Sequence, residues 1–434
     1  MRLVSADWVL PVCAPAIRDG AVLVDGDRIV AVGPRTALES TTAADVPREH
    51  FADCTITPGL VNAHTHLTLT ALSGVVPPAP FHEWLPRLVS AMKPWSIADH
   101  EASGVIGAEE SLASGVTVVG DIAYGAAEVA SASGAGLGGV YYWELLGLPA
   151  EQIAVHLAYL RFPATANEYG TRVACGLSPH APYSCGPALL RAVADRARDL
   201  GVPFAIHVAE SDAEMQLLHD GTGPLAGVVA RNAPDFVVPH TSTTTYLAAL
   251  GMLRGATAVH CCHLEDGDIE LLASMARGVV TCPRSNRYLG NPPARVAPLL
   301  AAGITVGIGT DSSASNHDLD LMAEVRALAS AEPELSAETL LHIATAGGAA
   351  ALGVEDRFGV LTPGMQADLA VFSASGESDP AAAIVAEAGR DTSRAVMSGG
   401  VWRSRDGQLL ASDECARELS ADAQRRARVA LAES

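Results

Sequence analysis

The sequence predicts an α/β protein: a (β/α)8 barrel of the TIM type, with a small β-sandwich domain built from both termini. Three observations carry this expectation. Across the middle of the chain, eight short runs rich in β-branched residues alternate with Ala-, Leu- and Glu-rich helical stretches, the pattern of repeated βα units. Strand-like pieces without intervening helices recur near both ends. The first strand of the repeat is not followed by a GxGxxG turn, which favours a closed barrel over an open doubly wound sheet. The expected division assigns residues 1–55 and 355–434 to the β-domain and 56–354 to the barrel.

The N-terminal pieces are Asp7 to Val12, Ala21 to Asp27 and Ile29 to Gly33. Gly26, bracketed by Asp25 and Asp27, supplies a hairpin turn, because glycine takes positive φ without steric cost. The barrel strands are expected at 56–61, 117–123, 139–146, 173–178, 204–209, 257–262, 278–282 and 305–310. Helices are expected at 98–114, 187–200, 266–276 and 318–330. Residues 367–372 and 394–403 return as strands of the β-domain.

Composition narrows the partners. A net charge of −21, from 49 acidic and 28 basic residues without basic clusters, argues against nucleic acid or an anionic membrane surface. Eight cysteines without a CxxC pair fit free thiols in a reducing compartment, so the cytoplasm is expected. The apolar run from Val4 to Ala16 is broken by Asp7 and two prolines and falls short of the roughly 20 residues of a membrane span.

His64 and His66 follow an apolar run and a Pro-Gly turn, one residue apart. In a strand, residues i and i+2 point to the same face, so both imidazoles can reach one ion. Further polar residues fall at the ends of later strands, where barrel chemistry is done: His180, His207, Glu210, His260, the Arg284-Ser285-Asn286 run and Asp311. Singly, each reads best as a satisfied core polar group. Together, His64, His66, His207 and Asp311 offer the ligand set of a divalent metal with an open position for water, and His260 adds a polar group beside it. Such a metal lowers the pKa of its water to roughly 7, and Glu210, three residues beyond His207, can take the proton. Asp121, near the end of the second strand, is expected to hydrogen-bond near this site.

The segments PGLVNAHTHL, IHVAES, AVHCCHL, CPRSN and IGTDSSASN resemble the amidohydrolase superfamily, in particular its branch of nucleoside and base deaminases. The resemblance implies that His64, His66, His207 and Asp311 hold the metal, that Glu210 shuttles protons, and that His260 orients or polarises the attacked centre. Asp311 would share in the proton transfers. Binuclear relatives need a carbamylated lysine on strand four; residues 173–178 contain none, and the sole lysine is Lys93. One metal ion is therefore expected, zinc first, with iron and manganese suited to the same donors. The implied reaction adds water to an amidine-like carbon and expels ammonia. Relatives also suggest a homo-oligomer.

For the substrate, Phe81-His82-Glu83-Trp84-Leu85 resembles the segment with which purine nucleoside deaminases bind a ribose diol (Glu83) and pack on the base (Trp84). His180 resembles a histidine that reaches the ribose hydroxyls. Arg284 and Arg287 depart from the adenosylhomocysteine deaminases and suit a substrate carboxylate. CPRSN is similar to the actinobacterial enzymes acting on 6-amino-6-deoxyfutalosine, a purine nucleoside on a route to menaquinone. That nucleoside is the expected substrate, and adenosine, methylthioadenosine or adenosylhomocysteine is the alternative. Guanine deamination or triazine dechlorination comes third, and a non-catalytic metal-bearing scaffold is the contrasting class.

Overall fold

The computed structural model describes residues 1–147, 152–154, 157, 172–232, 235–374, 376 and 378–433. The chain opens with β1 (Arg2–Val9), β2 (Ile17–Asp25), β3 (Arg28–Pro34) and β4 (Arg48–Pro58). β2 and β3 form the expected hairpin: Asp25 pairs with Arg28, and Gly26 turns the chain at φ +56°. Near the other end follow β13 (Leu369–Phe372), β14 (Ser393–Ser398), β15 (Val401–Arg405) and β16 (Gln408–Leu409). All eight join in a single sheet ordered β16-β15-β14-β13-β4-β1-β2-β3. The two ends of the chain meet where β13 pairs antiparallel with β4. One face shares an apolar cluster that includes Val4, Val22, Ile56, Leu369 and Met397, so neither end can bury its strands alone.

Between these parts lie β5 (Leu60–Thr65), β6 (Val116–Ala123), β7 (Gly138–Leu145), β8 (Val173–Pro179), β9 (Ala205–Val208), β10 (Thr257–His260), β11 (Gly278–Thr281) and β12 (Val306–Ile308). β5 to β8 and β9 to β12 form two parallel four-stranded runs. Parallel bridges at Leu177–Phe204 and Thr65–Asp311 join the runs at both seams and close the barrel. All eight residues of β6 are buried, as expected of a strand covered on both faces.

The first barrel strand differs from expectation. Thr55, Ile56 and Thr57 pair with β1 and β13 and belong to the outer sheet, so the barrel begins at Leu60. Gly59 makes the passage between the two sheets possible. A Cβ there would lie 2.1 Å from Thr117 Oγ1, on the neighbouring strand β6. The helices Ile97–Ala113, Pro187–Leu200, Asp268–Met275 and Leu321–Ala331 match the predicted stretches.

The C-terminal helix, Glu414–Ala432, lies against Ile97–Ala113 and Phe81–Met92 on the barrel side. Trp95 Nε1 donates to the Ala423 carbonyl at 3.0 Å, and Arg426 reaches Asp99 at 2.6 Å. Among the described residues no helix is long and apolar enough to cross a membrane.

Arg172, just before β8, ties barrel to outer sheet. Its guanidinium donates twice to Asp368, both at 2.8 Å, and also to Gln366 (2.9 Å) and Ser398 (2.8 Å). Asp368 is buried, so removing its partner strands a charge. Arg172→Met is expected to destabilise the protein by about 3–5 kcal/mol, read as a lowered denaturation midpoint. Arg172→Met with Asp368→Asn should recover part of that loss, and a midpoint that Arg172→Met leaves unmoved would contradict this account.

Candidate metal centre and catalytic cavity

The barrel delivers its polar strand ends to one place. His64 comes from β5, His66 from just beyond it, and His207 from β9. Each offers a ligand nitrogen, and the three nitrogens lie within 4.8 Å of one another. Asp311 Oδ1 stands 3.6 Å from His64 Nε2 and 3.5 Å from His66 Nε2. All four side chains are buried.

The protonation of this group suits a cation. His207 Nδ1 lies 2.7 Å from the His180 carbonyl, which only accepts, so Nδ1 carries the hydrogen and Nε2 keeps its lone pair. Burial, reinforced by neighbouring imidazoles, pushes His207 far down; burial also takes His66 down to about 3, despite the opposing charge of Asp311. Neutral imidazoles are what metal ligation requires. His64 Nε2 is buried without a hydrogen-bond partner among the described residues, a costly arrangement unless a cation completes it. For Asp311, burial works upwards, but His64, His66 and His260 outweigh it and hold the carboxyl well below the usual range. Its Oδ2 accepts from Ser285 Oγ (2.6 Å) and Ser315 Oγ (3.0 Å), which leaves Oδ1 facing the histidines. The donor set fits one divalent ion.

Beside it stand two further buried titratable groups, Glu210 and His260. Glu210 is buried, and burial followed by the Asp311 charge pushes its carboxyl well above the usual carboxylate range. His260 Nε2 lies 3.9 Å from Glu210 Oε1, and His260 Nδ1 is hydrogen-bonded to Asn286 at 2.9 Å. Burial takes His260 down to about 4. Ala209, His260, Cys261 and Asp311 all adopt left-handed backbone, with φ of +48°, +72°, +53° and +54°. Such residues cost roughly 1–3 kcal/mol each, and here they gather where strands end and side chains must turn inward. Asp121 accepts from the Leu67 amide at 2.9 Å and so fixes the turn just after His66.

A cavity of about 260 Å³ opens from these groups. Its floor includes His66, His207, Glu210, His260 and Asp311, and its wall is largely apolar: Leu69, Phe81, Trp84, Leu88, Met92 and Leu289. Of the expected substrate contacts, Trp84 and His180 line it, with His180 Nδ1 held by Ser184 at 2.8 Å. Glu83 is exposed and reaches Arg87 at 3.5 Å; one residue along a helix from Trp84, it faces a different direction. Arg284 pairs with Asp318 at 2.7 Å and approaches Glu324 at 3.8 Å, while Arg287 is exposed. None of these three is among the described residues lining the cavity. The cause is helical phase: on the short helix Pro283–Tyr288, Ser285 and Asn286 face the site, and Arg284 and Arg287, three apart, share another side.

Tyr183 and Glu144 also line the cavity and were not singled out from sequence. Tyr183 sits in the SPHAPYS segment beside His180, and Glu144 lies near the C-terminal end of β7, so strand-end position was the available signal for both.

Comparison with known proteins agrees with this geometry. Residues 55–403 match the model of the amidohydrolase family, and residues 20–41 match that of an imidazolonepropionase-like composite domain of bacteria. A 5-methylthioadenosine/S-adenosylhomocysteine deaminase of Desulforudis audaxviator is 34% identical over 390 residues, covering 86% of this chain and 85% of the relative. The crystal structure of an adenosine deaminase from Xanthomonas campestris with bound zinc superposes with a TM-score of 0.84 at 27% identity, over 100% of this chain and 98% of the other. Helicobacter pylori aminofutalosine deaminase shares the fold, with a TM-score of 0.80 at 23% identity over 93% of this chain and 100% of the other. By the match over most of its length, this chain belongs to the amidohydrolase family.

Proposed function

We propose that this protein is a metal-dependent aminohydrolase that releases ammonia from the purine ring of an adenine-type nucleoside. The observation that carries the reading is the meeting, at the head of one apolar cavity, of a four-residue metal donor set with buried Glu210 and His260. His64, His66, His207 and Asp311 would hold a single divalent ion, zinc by donor type. Such an ion, when bound, lowers the pKa of a water to about 7. Glu210, with its raised affinity for a proton, would take one from the attacking water and pass it to the ring nitrogen, where it stays in the product, while the proton of the hydroxyl left on the ring carbon would go to the amino group, which departs as ammonia. Asn286 fixes the His260 ring so that Nε2 faces the reacting end of the cavity. Trp84 and His180 both line the cavity, where Trp84 would pack against the purine and His180 would meet the ribose hydroxyls.

The sequence-based ordering of substrates rested on Arg284 and Arg287 meeting a carboxylate. With Arg284 held by Asp318 and Glu324, and no guanidinium among the described cavity residues, that argument loses its donor. The apolar wall suits an uncharged, apolar 5′ substituent instead. The relatives named 5-methylthioadenosine/S-adenosylhomocysteine deaminases support the same order. Methylthioadenosine is thus placed ahead of 6-amino-6-deoxyfutalosine.

Three outcomes follow. Glu210→Gln is expected to lower kcat by about 10²- to 10⁴-fold while leaving metal content unchanged; an active variant removes Glu210 from proton transfer. Stripping metal with a chelator should abolish ammonia release, with a single zinc per chain restoring it, and activity that survives complete removal contradicts the reading. In a panel of adenosine, methylthioadenosine, adenosylhomocysteine and 6-amino-6-deoxyfutalosine, kcat/KM should be highest for methylthioadenosine. Arg284→Met should depress all four alike, whereas a KM effect confined to aminodeoxyfutalosine would return Arg284 to carboxylate binding.

A further inference from the structure

The helix Asp212–Asp220 begins with Ser211-Asp212-Ala213-Glu214, the spacing of a reciprocal helix cap. Ser211 behaves as the N-cap: its Oγ accepts from the Glu214 amide at 3.4 Å. In the ordinary form of that motif the glutamate reaches back to the amide of the capping serine. Here it reaches further. Oε1 accepts from the Ala209 amide and Oε2 from the Glu210 amide, each at 3.0 Å, and Thr243 Oγ1 donates to Oε1 at 2.8 Å. Glu214 is fully buried, and no cation pairs with it among the described residues. A buried carboxylate without a cation is expensive, and these N–H and O–H donors are what offset the cost. Burial pushes its carboxyl up to about 7, with the two amides and Thr243 acting against that rise.

What the two amides have in common is their place. Ala209 is in the left-handed region at φ +48°, which an alanine does not favour on its own. Glu210 follows directly and aims its carboxyl at His260. Pinning both N–H groups to one rigid carboxylate fixes the peptide planes on either side of the Ala209 Cα, and with them the direction of the Glu210 side chain. Stabilising the helix would require only a bond to the Ser211 amide.

We propose that Glu214 is a positioning residue that holds the Glu210 backbone in its working orientation, an inference that rests on the deaminase reading of the site. The test compares four proteins: unaltered, Glu214→Gln, Glu214→Asp and Ser211→Ala. Glutamine keeps the shape but turns an NH2 towards one of the two amides. Glu214→Gln is expected to lower kcat about 100-fold, the scale of a small misplacement of a catalytic group, with KM and zinc content near those of the unaltered enzyme. Hydrogen exchange at the Ala209 and Glu210 amides should accelerate. Glu214→Asp, which restores the charge on a shorter arm, should recover part of kcat. Ser211→Ala, which removes the cap alone, should lower the melting midpoint and leave kcat unchanged. An unaltered kcat in Glu214→Gln, a loss of kcat matched by Ser211→Ala, or unchanged exchange at residues 209 and 210 would each overturn the proposal. If the unaltered protein releases no ammonia from any adenine nucleoside, the deaminase reading fails, and the exchange measurement still decides whether Glu214 holds these amides.

Discussion

The seam between the first and last barrel strands is the constraint on which the site depends. Asn62 Nδ2 donates to Thr310 Oγ1 at 2.8 Å, the Thr310 amide returns a bond to Asn62 Oδ1 at 3.0 Å, and the Asp311 amide donates to the His64 carbonyl at 3.0 Å. Gly309 permits this approach, since a Cβ there would lie 2.5 Å from the His64 carbonyl oxygen. Two histidines from one end of the barrel sequence and a carboxylate from the other thereby become neighbours. The candidate ligand set is brought together by ring closure, not by local sequence.

Much of this was legible beforehand, for a physical reason. Strands buried on both faces must be apolar and β-branched, and they announce themselves as runs; all eight barrel strands fall close to where such runs occur. The exception, Thr55 to Thr57, is instructive. An outer-sheet strand buried between neighbours has the same composition as a barrel strand, and only the pairing with β1 and β13 tells them apart. That the candidate metal residues would come together was readable because strand ends converge in a barrel, whatever the loop lengths. Arg284, Arg287 and Glu83 were harder, because their direction depends on the phase of a short helix or on one step of 100° around a longer one. Glu214 carried a recognisable capping spacing, yet the bonds it makes lie outside that motif.

The electrostatics of the cavity follow from burial more than from any single partner. Taking imidazoles out of water lowers their proton affinity, and taking Glu210 out of water raises its own. One environment therefore moves these imidazoles and the glutamate in opposite directions. Asp311 escapes the same push because the side chains of His64, His66 and His260 outweigh its burial.

The C-terminal helix supports the cavity from outside the barrel repeat. Ala427 packs in the same apolar cluster as Trp84 and Leu88, so two residues of the cavity wall are backed by a helix that follows every barrel strand in the chain. In chain order His64, His66, His207 and Asp311 all precede this helix. The backing of the cavity wall is therefore distant in the chain from the residues that gather at the barrel's strand ends.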